Sequence, residues 1–193
     1  PECHVVYTVP ISMFYSPKAT VLTNIFPDSF VLPMIKIREP GGEECPQGLE
    51  RLREILSRRI ELGAIFEGEA VERILRFCGG HVRDLVRLVR YACRYADEER
   101  QPPIDSEAVQ RAIEQLTSFY GRMIPEEHFP LLARVHRDKE VENDPAHQLM
   151  LYNLSVLEYC NGDLLWYDVH PAVLGLPRFK EAFDRERPVI FNR

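Results

Sequence analysis

No apolar run in this 193-residue chain approaches the roughly 20 residues that span a bilayer. Its first residues lack the basic-then-apolar order of a secretory signal. The five cysteines, Cys3, Cys45, Cys78, Cys93 and Cys160, are odd in number, widely spaced and form no CxxC pair. That excludes a disulfide framework and a thiolate zinc site, and reads as reduced thiols of a cytoplasmic protein. His4, His81, His128, His136, His147 and His170 show no metal-ligand spacing. His128 and His136 could share a helix face, but no cysteine or carboxylate stands where a zinc site would need one. There is no GxSxG nucleophile, and the Glu43-Glu44 and Glu126-Glu127 pairs read as solvated. The chain also lacks positive charge. At a net charge of -6 it has no global pull towards nucleic acid, so such binding would need a local patch. Internal repeats and low-complexity tracts are absent too.

What remains is 45% hydrophobic and 28% charged, the composition of an ordinary globular protein. This length suits one large domain or two to three small ones. The chain opens at Pro1 and not at a methionine, and is read as a piece of something longer.

The organising stretch is Cys78-Gly79-Gly80-His81-Val82-Arg83-Asp84-Leu85 and the helix it opens, through Tyr95. A glycine pair closes one helix and the next begins at once. Val82, Leu85, Val86, Val89, Ala92 and Cys93 recur at the spacing of one helical face. Arg83, Arg87, Arg90 and Arg94 fall at steps of four, three and four and form a stripe on roughly the opposite face. Such a stripe can be a solvated surface, or Arg83 can reach a phosphate. His81, at the helix start, reads as a capping-turn residue or as a group approaching an anion.

Three segments follow from the pattern. In residues 1–45, His4 to Val9 is a continuous apolar, β-branched run ending at Pro10, which suits a strand buried on both faces. Residues 31–37 look like a second strand, with Pro33 marking its start or edge. A short helix is expected around Ala19 to Ile25, and residues 38–45 read as a linker. Residues 46–124 are all-helical. Helices are expected over about 47–62 and 69–78, then the arginine-striped helix, and then a fourth helix capped by Asp105. Four amphipathic helices joined by short turns make a small bundle. In residues 125–193, a helix from Glu126 to about Arg137 is followed by one that Asp144-Pro145 starts, running to about Leu154. Ser155–Tyr159 and Leu164–Val169 then flank an Asn161-Gly162 turn, a strong hairpin signal. Two helices and a hairpin fit a winged helix.

In this order the elements resemble the C-terminal half of a P-loop ATPase of the AAA+ superfamily. The flavour is that of the Cdc6/Orc- and STAND-like branch, in which a winged helix follows the ATPase core. The resemblance covers nearly the whole chain in element order, and is specific at residue level only in Gly-Gly-His-Val-Arg-Asp-Leu. It implies a mainly α fold with a partial parallel β-sheet. Residues 1–45 would be C-terminal strands of the ATPase core, 46–124 a helical lid, and 125–193 a winged-helix-like domain. Arg83 matches the sensor 2 arginine, which in the family touches the γ-phosphate and couples lid position to nucleotide state. The first strand would be the one that ends in sensor 1, with Thr8 and Ser12 as candidates, although both also suit a structural role. Residues 10–30 hold no arginine, where the family has its arginine finger. Lys18 is the only cation there.

The resemblance implies ATP and Mg²⁺ for the full-length protein. Yet no GxxxxGK[ST] loop occurs, and no apolar strand ends in the acidic pair that would hold Mg²⁺. This chain alone should therefore neither bind ATP tightly nor hydrolyse it. In the family fold, the phosphate-loop strand lies between the two strands expected here. Residues 5–9 and 31–37 should then stay unpaired, about 10 Å apart. The expected partners are the missing N-terminal ATPase half and a protein partner or further copies in an oligomer. DNA is weakly supported, because helix 144–154 offers His147, Gln148 and Asn153 but no Lys or Arg, and the hairpin tip has only Asp163. The alternative is a non-catalytic helical and winged-helix adaptor that binds protein or DNA.

Overall fold

The computed structural model describes residues 6–26, 28–98 and 103–186. The chain is mainly helical, with one small sheet. Helices α1 (Ala19–Ile25), α2 (Pro46–Ser57), α3 (Leu62–Ile65), α4 (Ala70–Phe77), α5 (Val82–Glu98) and α6 (Ser106–Met123) come first. Then come α7 (Phe129–Asp138), α8 (Pro145–Tyr152), strands β1 (Val156–Asn161) and β2 (Leu164–Val169), α9 (Pro171–Leu174) and α10 (Pro177–Arg185). Two 3-10 turns, Ile11–Tyr15 and Glu126–His128, complete the described elements.

Local chemistry explains most of these boundaries. The Asp105 carboxylate accepts from the Glu107 and Ala108 N–H groups and starts α6. Asp144 accepts from Ala146 and His147 ahead of Pro145 and starts α8. Both satisfy donors that a helix start leaves open. The helix expected to run on to residue 62 stops at Ser57. The chain turns there because Ile65 and Glu67 must meet Ile104, with Ile104 N donating to Ile65 O at 2.7 Å and Glu67 N to Ile104 O at 2.9 Å. The helix expected from Glu126 opens as a 3-10 turn, and α7 itself carries Pro130 in its first turn.

The sheet is the antiparallel hairpin β1–β2, with Tyr159 opposite Trp166 and Asn161 opposite Leu164. Gly162 takes the left-handed conformation of the turn (φ 62°), and the Tyr159 and Trp166 rings stack at 4.5 Å.

Two expected strands are corrected. Residues 6–10 form no strand, and the start of that run lies outside the described residues. Val6 and Tyr7 are 91% and 67% exposed. Pro10 lacks a donor, and no neighbouring strand offers this run a ladder. Residues 31–37 form no strand either, and no parallel sheet is built among the described residues. Instead, residues 34–38 run as an extended strap. Met34 N donates to Glu158 O at 3.0 Å and Ile35 N to Gly80 O at 3.3 Å, while Ile37 O accepts from Cys45 N at 2.9 Å. Those bonds replace sheet neighbours, so the run that reads as a buried strand is covered by helices and hairpin only from Met34 to Ile37, with Ile37 alone fully buried and Val31 and Leu32 exposed. The strap comes so close that a Cβ on Gly48 would sit 1.7 Å from Lys36 O, and one on Gly80 1.8 Å from Ile35 O. With neither strand formed, the expected gap between them has no counterpart.

The core is continuous from α2 to α10. Leu52, Ile74, Leu75, Leu85, Leu88 and Leu116 fill the first helical block, while Leu132, Met150 and Val173 continue it beyond residue 125. Helices α5 and α6 make the largest helix–helix contact, α9 packs on α6, and α10 packs on α7.

Candidate functional site

Gly79 and Gly80 both have positive φ (64° and 76°), which L side chains adopt only under strain. Together they reverse the chain between α4 and α5. Three other segments meet the turn. Tyr159 OH donates to Gly79 O at 2.7 Å, Ile35 crosses Gly80, and a Cβ on Gly79 would collide with Leu157 and Pro171. The glycine pair is therefore the joint at which the strap, the helical block and the hairpin converge.

Immediately beyond it, α5 carries a buried acid. Asp84 has a fully buried side chain in its first turn. Its Oδ2 accepts from Tyr120 OH at 2.7 Å, lies 3.0 Å from His81 Nδ1 and 3.4 Å from His170 Nε2. Its Oδ1 lies 2.8 Å from the Arg87 guanidinium, off the line of a hydrogen bond. His170 accepts from Ala172 N through Nδ1, so the neutral ring carries its proton on Nε2, facing the carboxylate. The ring also stacks on Tyr120 at 4.5 Å. Burial would raise the Asp84 carboxyl, but the facing His170 ring, His81 and the Tyr120 hydroxyl overcome it and hold the group below the usual carboxylate range. Burial lowers His170 and keeps it neutral, with Asp84 opposing only in part. Burial and the Asp84 charge push the Tyr120 phenol up. This knot ties α5, α6 and the segment after β2 into one body. Cys78, beside it, is a buried thiol pushed up to about 12 by burial, hence inert.

The arginine stripe divides. Arg87 pairs with Asp84 and lies over Phe119 at 4.9 Å. Arg94 lies over Tyr91 at 5.8 Å. Arg83 and Arg90 are exposed, and neither has a hydrogen-bond or ion-pair partner among the described residues. The buried face of α5 is Asp84, Leu85, Leu88, Ala92 and Ala96, while Val82 and Val86 are 38% and 37% exposed. The face is thus rotated from the one expected. His81 serves as the Asp84 partner and not as an open anion contact.

The sensor 1 candidates lie elsewhere. Thr8 is exposed in irregular chain and Ser12 is buried in the first 3-10 turn. That turn packs on α8, and no hydrogen bond joins either residue to Arg83. It is held there by a second polar knot. Tyr15 OH donates to the Glu158 carboxylate and shares a hydrogen bond with Tyr167 OH, while Gln148 Nε2 donates to Tyr15 O. Glu158 is 2% exposed. Two of the three side chains offered for base reading are therefore committed internally. Gln148 bonds Tyr15, and His147 is buried against Asp144 with its Nδ1 2.6 Å from Oδ2. A third knot joins Asp168 to His136 (2.6 Å) and Lys139 (2.7 Å). Burial would raise Asp168, and these partners pull it down.

No group of three or more His, Cys, Asp or Glu among the described residues could hold a metal ion. Among those residues no helix is long and apolar enough to cross a membrane. No family model, curated protein or solved structure matches the chain.

The Asp84 knot escaped the sequence reading. One signal for it was present: Asp84 and Leu88 are four apart and share a helix face, so the acid sits on the buried side once Leu88 is counted as core.

Proposed function

We propose that the chain is the lid and winged-helix portion of an ATP-driven switch or motor of the AAA+ superfamily. It would respond to nucleotide only together with an N-terminal half that supplies the phosphate loop and, with it, ATP and Mg²⁺. The observation that carries this reading is Arg83. It is an exposed guanidinium without a partner among the described residues, next to a residue that is locked in place. Asp84 is fixed to His81, Arg87 and Tyr120, so the first turn of α5 is rigid and the Arg83 stem starts from a defined position. A rigid donor fork on an otherwise mobile lid is what phosphate sensing needs. Such an arginine binds the γ-phosphate from outside the lid, so no closed pocket around it is required.

A second observation supports a missing partner body. Val6, Tyr7, Phe30 and Leu32 are between 67% and 91% exposed, Ile25 and Phe26 are exposed as well, and the Tyr7 and Phe26 rings lie 5.4 Å apart. So many large apolar side chains left open within residues 6–32 suit a surface that another body covers. An ATPase core packed on residues 6–32 would do so, and Thr8 and Ser12 would then lie at that junction as sensor 1 candidates. In this reading the protein works in the cytoplasm. The alternative is a non-catalytic adaptor that binds protein or DNA, and its DNA form, read through α8, is disfavoured because His147 and Gln148 are occupied within the chain.

The test is nucleotide binding with and without the ATPase half. This chain alone should show no tight ATP binding by calorimetry, and the protein carrying a phosphate loop upstream should bind and hydrolyse ATP. Tight binding by the chain alone would overturn the reading.

A further inference from the structure

We propose that the outer side of α5 docks an acidic amphipathic helix of a partner protein. The core takes Asp84, Leu85, Leu88, Ala92 and Ala96 from this helix of 17 residues. Beside that buried face a second apolar stripe is left over, made of Val82, Val86, Val89 and Cys93. Val82 and Val86 are 38% and 37% exposed, Val89 is half-buried and Cys93 is exposed. At about 100° per residue the four share an arc of about 60°. Their steps of four, three and four are the spacing by which two helices mesh along a seam. At about 1.5 Å per residue the stripe is about 16 Å long, which suits a small, transient contact.

Charge selects the occupant. Arg83 and Arg90, one heptad apart, lie along the solvent edge of the stripe. Both are exposed, and neither has a hydrogen-bond or ion-pair partner among the described residues. Asp97 stands a turn past Cys93 and two past Arg90, at the end of the stripe. A helix that lays apolar side chains along the valines brings its own flanking positions opposite the arginines. Glu or Asp at those positions would complete the pairs, as flanking charges do along helix seams. A second copy of this chain fits worse, because antiparallel pairing along the stripe sets the arginines of one helix against those of the other. Nucleic acid fits worse too, because valines offer bases no ring to stack on. Arg83 is shared with the phosphate-sensing reading, so Arg90 carries the test, and the inference stands without that reading.

The test is fluorescence anisotropy of a labelled helical peptide titrated with this chain in the absence of nucleotide. The peptide carries leucine at its seam positions and glutamate at the flanking ones, and a second peptide carries lysine in place of glutamate. The expected result is saturable binding of the glutamate peptide, with the lysine peptide at least about tenfold weaker. Arg90→Glu should weaken the glutamate peptide about tenfold and tighten the lysine peptide, an exchange that general apolar stickiness would not give. Val86→Asp should abolish binding of both. Bound peptide should slow alkylation of Cys93, read by mass spectrometry, and leave that of Cys160 unchanged. Thermal melting confirms that each variant folds, and if Val86→Asp does not, Arg90→Glu and Cys93 protection decide. Arg51→Glu on α2 serves as a charge control that binds like the parent. No binding of the glutamate peptide overturns the proposal. So does equal binding of the two peptides, an unaltered affinity in Arg90→Glu, or an unprotected Cys93. Tighter binding of a labelled oligothymidylate, or self-association of the chain that Val86→Asp removes, would assign the stripe to another occupant and overturn it as well.

Discussion

Asp84 and His170 face each other across the junction of α5 with the segment that leaves β2, both side chains fully buried and Oδ2 3.4 Å from Nε2. A charged carboxylate at that depth is costly unless it is compensated. Here Tyr120, His81 and Arg87 supply the compensation. Removing the acid strands a buried ring nitrogen, a phenol and a half-buried guanidinium. Asp84→Ala should therefore cost about 3–5 kcal/mol, read as a lower urea midpoint with unchanged slope. A loss below about 1 kcal/mol, the scale of an ordinary hydrogen bond, would mean that the knot is incidental.

The same pair gives a pH dependence with a definite sign. His170 is lowered by burial in the folded state, while the unfolded chain protonates near its ordinary value of about 6.5. As pH falls below about 6.5, the unfolded state takes up a proton that the folded state refuses, so stability falls, by up to about 1.4 kcal/mol per pH unit. Asp84, held low in the fold, keeps its contribution until about pH 4 and loses it below that. Asp84 and Tyr120 face the ring directly, and His81 lies on the same carboxylate. Denaturation at about pH 7 and about pH 5 should show the loss in the parent and a flatter profile in His170→Gln. An equal slope in both would assign the effect elsewhere.

Two glycines with similar backbone angles should respond differently to a methyl group. At Gly162 (φ +62°) nothing lies within 4 Å of an added Cβ, so Gly162→Ala should cost only the left-handed penalty, about 1–2 kcal/mol. At Gly80 (φ +76°) the Cβ would lie 1.8 Å from Ile35 O. Gly80→Ala should cost clearly more and also release the strap at residues 34–37. Amide hydrogen exchange at Ile35 would register the release, since its N–H bonds Gly80 O. Equal costs at the two sites would refute the close approach.

Tyr15→Phe should free the first 3-10 turn from α8. It removes the donor to Glu158, which is 2% exposed, and leaves that carboxylate underbonded at a cost of about 1–3 kcal/mol. Limited proteolysis between residues 6 and 32 should accelerate in the variant. An unchanged rate would show that the turn is held without the Tyr15 hydroxyl, by apolar packing and the Gln148 bond to Tyr15 O.

What could be read from the sequence was what local chemistry determines. The Asp105 and Asp144 caps, the hairpin with its Asn161-Gly162 turn, and the helices on either side of Gly79-Gly80 all follow from neighbours within four residues. The run at 31–37 misled because apolar, β-branched chain looks alike whether strands or helices bury it. Only Gly48 and Gly80, distant in sequence, decide which, by letting the strap approach. The Asp84 knot was hidden for the same reason. His170 and Tyr120 reach it through the tertiary fold, and no spacing along the chain announces them. The arginine stripe was visible, but its division into paired Arg87, ring-stacked Arg94 and open Arg83 and Arg90 was not.

The central claim rests on Arg83. Because it is exposed and has no partner among the described residues, its removal should leave the stability of this chain unchanged to about 0.5 kcal/mol. The decisive measurement is the ATP hydrolysis rate of the protein carrying both the phosphate-loop half and this chain, with Arg83→Ala beside the parent. The account predicts a fall of about 100-fold or more, with no rescue by Arg83→Lys, because an ammonium cannot reproduce the guanidinium fork. An unaltered hydrolysis rate together with unaltered nucleotide-dependent behaviour would contradict it.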